Sequence, residues 1–212
     1  MATLDQLYAR IILDTNRDDM GPGGELEQAL IDAVADAIER HAGELFWFNR
    51  ASGAAATVPG TATLALPAGM RIARVVTWLG APLPKVPLET IQAAEDPAAP
   101  VVGPPALWAE DEGLIHLHPV PDAAHALAVH GIAELGVPAT ANAWTEAAYN
   151  LILNEAKALL CRGPLRDVEG LQLAMGGRDE ALTRLRRETR RRGDAAPRTD
   201  LPAPAAANIV AG

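Results

Sequence analysis

Between Leu114 and Leu135 the chain reads LIHLHPVPDAAHALAVHGIAEL, and a long apolar helical pattern follows from Asn142 to Arg162. Alternation with period two on either side of PVPDAA places one face of each segment on a core, so two strands joined by a Pro-Asp turn are expected. A helix able to cover that hairpin makes the region a scaffold, and no catalytic group stands out in it. The expected class is α+β, a bundle of about four to five helices carrying an inserted antiparallel β region and an extended C-terminal arm.

The flanking segments supply the rest of the bundle. Thr3 and Gln6 fit a capping box for a helix from Leu4 to Asn16, with Leu4, Leu7, Tyr8, Ile11 and Ile12 on one face. After the turn RDDMGPGG, Leu26, Leu30, Ala33, Val34, Ala37, Ile38 and His41 repeat at helical spacing. From Leu45 the period shortens, and LFWFNRA, ATLALP and RIARVVTWL read as strands bounded by Gly, Pro or Ser. Gly80 to Pro84 is expected to close a hairpin between Val75–Leu79 and Leu83–Val86, Pro87 to open a short helix, and 96–105 to be irregular. Trp108, Leu114–His118 and Ala126–Glu134 continue the strands. Asn142 is the expected N-cap of one helix that ends at Gly163-Pro164. Gly176-Gly177 is expected to separate a helix at Leu165–Met175 from a last one at Arg178–Arg192, with Leu182 and Leu185 inward. The expected organisation is a helical pair at 1–44, the β region at 45–136, bundle-completing helices at 137–192 and a partner-binding arm at 193–212.

Charge is distributed unevenly. The chain of 212 residues carries a formal −9; residues 1–177 hold 10 Lys/Arg against 22 Asp/Glu, whereas residues 178–198 hold 8 Arg against 4 acids. An acidic body repels phosphate, which argues against the body gripping nucleic acid. A single cysteine, Cys161, excludes an internal disulfide framework and a cysteine-rich zinc site, and its apolar helix makes it a small buried hydrophobe. No apolar stretch reaches the ~20 residues of a membrane span and no signal-peptide core is present, so a cytoplasmic protein without membrane contact is expected.

Candidate chemistry is sparse. Gly21, Gly23 and Gly24 precede a helix, but no Lys-Ser/Thr pair follows and Glu25 would repel phosphate, so they read as a turn. His116 and His118 lie two apart on one strand face, where His125 or His130 from a neighbouring strand would complete a metal site; solvated strand histidines are the commoner arrangement. The pairs Asp18-Asp19, Glu95-Asp96 and Asp111-Glu112 sit beside turn residues with nothing apolar to raise a carboxyl pKa. Ser52, the sole serine, lies beside Gly53 in an expected turn. No catalytic, cofactor-binding or metal-binding residue is assigned. Arg184, Arg186, Arg187, Arg190, Arg191 and Arg192 crowd the end of the last helix, more cations than the helix dipole accounts for. They suit docking on an acidic protein surface, or contact with nucleic acid. Leu201, Ile209 and Val210 are apolar anchors in the Pro-rich tail, as in segments that order on a partner.

Two N-terminal helices, a β region ending in LHPVPDAAHALAVH, the helix TEAAYNLILNEAKALL, a terminal helix and an arm together resemble the head-tail adaptor proteins of tailed bacteriophages and gene transfer agents, also called connector or head completion proteins. The resemblance covers residues 3–192; the 96–105 connection and the Arg-dense end depart from it. It implies a structural role without cofactor or enzymatic activity: a dodecameric ring of identical copies that docks on the portal, extends the DNA channel and meets a tail or stopper protein below. It implies assembly in the host cytoplasm and residence at the head-tail junction of a virion or phage-like particle. The arginines together with Leu201, Ile209 and Val210 would then be the portal contacts, and DNA would pass without specific binding. The alternative is a nucleic-acid-binding accessory protein acting through Arg184 to Arg192.

Overall fold

The computed structural model describes residues 2–96 and 99–194. The fold class is α+β, and its helices and strands build two hydrophobic cores. The helical core draws on α1 (Leu4–Thr15), α2 (Glu27–Ala42), the single turn α4 (Ala143–Glu146), α5 (Tyr149–Arg162) and α6 (Val168–Asp194), while the short α3 (Leu88–Ala94) lies in the β region. The capping box at α1 is present: Gln6 N–H donates to Thr3 Oγ1 at 3.2 Å and Thr3 N–H to Gln6 Oε1 at 3.1 Å. Leu7 and Ile11 from α1, Val34 and Ile38 from α2, and Leu151 and Ile152 from α5 are buried together, as their spacing predicts.

Two helix boundaries differ from the expectation. The pattern at 142–162 is interrupted: Asn142 caps only α4, accepting from Trp144 N–H at 2.9 Å, and Ala148 leaves helical geometry at φ −107°, ψ 15°. Trp144 explains the break, because its indole N–H donates to Leu135 C=O at 2.9 Å and its ring stands edge-on to Phe46 and Phe48. The opposite correction applies at Gly176-Gly177, where one helix of 27 residues, about 40 Å long, replaces two. Gly177 ends nothing; a Cβ there would come within 2.8 Å of the Asn154 side chain, and one at Gly170 within 3.0 Å of Cys161 Sγ. With buried Ala174 between them, these positions let α6 lie close along α5, and that packing outweighs the weak helix propensity of glycine.

Strands β1 (Arg50–Ala56), β9 (Ala126–Ala133), β3 (Met70–Trp78) and β4 (Ala81–Pro82) form one sheet in that order. A second contains β2 (Thr63–Ala65), β7 (Leu114–His118) and β6 (Leu107–Asp111); β5 (Val102–Gly103) and β8 (Val120–Pro121) make a two-residue parallel pair. The expected PVPDAA hairpin is therefore absent: β7 and β9 belong to different sheets. Both edges of β7 are taken by β2 and β6, both edges of β9 by β1 and β3. The intervening prolines cannot donate, and Val120 N–H and Pro121 C=O are used by Val101 and Gly60 instead. The tight hairpins lie elsewhere. Glu112-Gly113 and Leu79-Gly80 each place two consecutive residues at positive φ, the geometry that turns β6 into β7 and β3 into β4.

LFWFNRA also departs from a strand. Asn49 is buried, accepts Phe46 N–H at 2.7 Å and donates to Glu44 C=O at 2.8 Å, so local side-chain bonds fold 44–49 into a turn and β1 begins at Arg50. Ser52 lies within β1, not in a turn.

The two glycines at 176 and 177 should respond oppositely to substitution. Gly176 is exposed with open space beside it, so Gly176→Ala should stabilise by about 0.4–1 kcal/mol. Gly177→Leu should destabilise by about 1–3 kcal/mol. Urea denaturation of both variants measures this; two stabilising outcomes would mean α6 does not cross α5 closely.

Candidate functional site

The middle of α6 is tied at Arg178 to a buried carboxylate one helix away. Glu155 on α5 is only 4% exposed, and Arg40, His41 and Arg178 approach it at 3.3, 3.5 and 3.7 Å. A carboxylate removed from water requires such company, so α2, α5 and α6 are tied together where Arg178 enters. Beyond that tie, α6 runs against the turn at 44–50. Trp47 N–H donates to Thr189 Oγ1 at 3.1 Å, and the Arg50 guanidinium reaches Thr189 C=O at 3.5 Å.

This docking divides the six arginines. Arg186 forks onto Glu44 with bonds of 2.5 and 3.0 Å, and that bond pushes the guanidinium pKa further up. Arg192 bonds Glu188 at 2.7 and 3.1 Å and lies 3.6 Å over the Trp47 ring. Arg191 is a looser neighbour of Glu188 at 4.0 Å. Arg184, Arg187 and Arg190 are exposed, and no ion pair or hydrogen bond engages their side chains among the described residues. At 100° per residue, Arg184, Arg187 and Arg191 share a helix face and Arg190 borders it. Arg184 also lines a groove of about 370 Å³ between α5 and α6, whose rim carries Glu146, Glu180 and Glu188. Leu201, Ile209 and Val210 lie outside the described residues.

Glu44, Trp47 and Thr189 are the contributors that sequence reasoning missed. The one available signal was Trp47 itself, a large aromatic beside an acid just past the end of α2, read instead as strand.

The other candidates are dispersed. His116 and His118 share the outward face of β7, His130 bonds Ser52 Oγ at 2.9 Å from the other sheet, and His125 bonds Asp122 at 2.7 Å, holding that carboxyl below its usual pKa. Among the described residues no three His, Cys, Asp or Glu side chains gather where they could hold a metal ion. Cys161 is buried, and desolvation raises its thiol pKa. Gly24 sits so close to Asp19 C=O that a Cβ would collide, consistent with a packed turn at 21–24. Asp19 is held by the Arg17 fork, which lowers its pKa, while Asp18, Asp111 and Glu112 are exposed. None forms a carboxylate pair in an apolar cleft. No described helix is long and apolar enough to cross a membrane.

Residues 2–201 match the family model described as SU10 adaptor protein. The chain belongs to that family. It is thus a phage adaptor protein, a structural family rather than an enzymatic one, with the virion as its setting and portal and tail proteins as its class of partner. No curated protein matches it.

The division of the arginines predicts a division of effects. Arg192→Ala should cost about 0.5–2 kcal/mol by uncovering Trp47, whereas Arg187→Ala should stay within about 0.5 kcal/mol of the parent. Chemical denaturation followed by tryptophan fluorescence checks both; equal costs would contradict the division.

Proposed function

We propose that this adaptor forms a ring of identical copies, dodecameric as its resemblance implies, which docks on the portal and extends the DNA channel toward the tail. One observation carries the reading: Arg184, Arg187 and Arg190 stand exposed on the C-terminal half of a 27-residue helix, with no ion pair or hydrogen bond to their side chains among the described residues, on an otherwise acidic chain. Exposed guanidinium groups on a rigid element suit carboxylates of a partner protein. Arg186, Arg191 and Arg192 belong to the same portal-facing end, the first and last mainly by fixing it to the 44–50 turn. Residues 193–212 extend the contact as an arm, anchored through Leu201, Ile209 and Val210. Repetition around a ring makes weak single arms collectively tight. A closed ring also requires two different surfaces of each copy to meet, which the helix faces and β region supply. A tail or stopper protein docks on the opposite side. An acidic channel wall would let DNA slide, since retention needs counterion release by cations. Assembly in the host cytoplasm precedes incorporation into a phage or gene-transfer-agent particle.

The nucleic-acid reading is less favoured. Trp47 does lie beside the arginines, but Arg192 covers its face, so it is not free to stack on a base.

Two changes test the proposal. Removing residues 195–212, or reversing charge with Arg184→Glu, Arg187→Glu and Arg190→Glu together, should weaken docking on purified portal by about tenfold or more without unfolding the chain. Electron microscopy and sedimentation read the outcome. Unimpaired docking of both variants sinks the assignment. DNA affinity in the parent that falls steeply with salt and vanishes on charge reversal would install the alternative.

A further inference from the structure

The α5–α6 hairpin has two unlike ends. Gly170 approaches Cys161 and Gly177 approaches Asn154, so the helices run antiparallel, closed at one end by the 163–167 turn and open at the other. The 14 residues of α5 set the two ends about 20 Å apart.

At the open end lies the groove of about 370 Å³. Its rim is acidic. Glu146 from α4 and Glu180 from α6 are exposed, and no ion pair or hydrogen bond engages either carboxylate among the described residues. Glu188 is already bonded to Arg192, and Arg184 is the single cation of the lining. Ala147, Gly177 and Ala181 keep the floor clear of long side chains, leaving room for a group from outside.

The closed end carries the opposite charge. Arg162 and Arg166 are exposed, and no ion pair or hydrogen bond engages their side chains among the described residues. Of the acids beside them, Asp167 caps α6 by accepting from Gly170 N–H at 3.0 Å, and Glu169 lies in the first turn, where the helix dipole favours a carboxylate. Val168 and Leu173 are 69% and 72% exposed, with no covering element among the described residues. Two large apolar side chains left bare within two turns of one helix, beside two unengaged guanidinium groups, form a patch rather than a scatter.

We propose that the α5–α6 corner of one copy seats in the α5–α6 groove of the next, with Arg162 and Arg166 against Glu146 and Glu180 and with Val168 and Leu173 covered by the contact. Corner against corner, or groove against groove, would bring like charges together, so the charge pattern selects the head-to-tail arrangement. Each copy then keeps one groove and one corner for its two neighbours, and the contact repeats until it closes. The inference names the surfaces that meet in the ring and so rests on the ring reading above. Arg187 and Arg190 stay outside the contact, and Arg184 stands where the groove borders the face assigned to the portal.

Charge exchange between two variants tests the contact. One carries Arg162→Glu with Arg166→Glu, the other Glu146→Arg with Glu180→Arg. Each alone should lower self-association of the full chain by about tenfold or more, read by sedimentation and electron microscopy with and without purified portal. Mixed in equal amounts they should assemble again, because the acidic corner of the first fits the basic groove of the second and the basic corner of the second fits the acidic groove of the first. Recovery also shows both variants folded. A neutral pair, Arg162→Gln with Arg166→Gln, should weaken association less than reversal does. Where the parent forms rings, undiminished rings of either reversed variant, no effect of the neutral pair, or a mixture that stays dissociated overturns this contact and leaves the ring reading standing. A parent chain that forms no ring in either condition overturns the ring reading, and this contact with it.

Discussion

The Glu155 carboxylate is the group on which the rest of the helical structure depends. It is buried in the middle of α5, and a charge withdrawn from water is tolerated only where cations and hydrogen bonds replace the solvent. Arg40 and His41 reach it from the end of α2, Arg178 from the middle of α6. Three helices are thereby set in one register, and α6 must continue past Gly177 for Arg178 to arrive. The close approach at Gly170, Ala174 and Gly177 makes that geometry possible.

With α6 so placed, its second half becomes a lever. Leu185 sits in the helical core, Thr189 takes the Trp47 amide, and Arg186 and Arg192 turn back to Glu44, Glu188 and Trp47. A cluster that looks uniform in one dimension is therefore two populations in space. One is spent on fixing the helix end to the first residues after α2; the other is exposed and meets no counterion among the described residues. Only the second has electrostatic energy left for a partner, and solvent-exposed ion pairs within the first are individually weak.

Much of the architecture was legible in the residues. The capping box at Thr3 and Gln6, the apolar stripes of α1 and α2, the extents of β3, β7 and β9, and the buried nature of Cys161 all follow from local pattern. The adaptor family was also recognisable from the order of elements, and the match over residues 2–201 bears it out. The failures share a cause. LFWFNRA carries strand-forming residues, yet Asn49 bonds and aromatic packing against Trp144 fold it as a turn; Gly176-Gly177 looks like a terminus, yet contact with Asn154 keeps the helix whole; PVPDAA looks like a hairpin turn, yet its neighbours claim β7 and β9 separately.

What the sequence alone determined is most of the inventory: the helices α1 and α2, the strands β3, β7 and β9, which faces are apolar, and that positive charge gathers near the end of an acidic chain. These depend on residues a few positions apart, where sterics and capping act directly. Tertiary structure decided which strands pair, that α6 runs unbroken through Gly176-Gly177, and which arginines are engaged by Glu44, Glu188 and Trp47, because each of those outcomes is a competition between partners distant in the chain. Hydrogen-bond donors, buried carboxylates and close helix crossings are satisfied by whichever distant group arrives with the right shape, and no local pattern records which one that is.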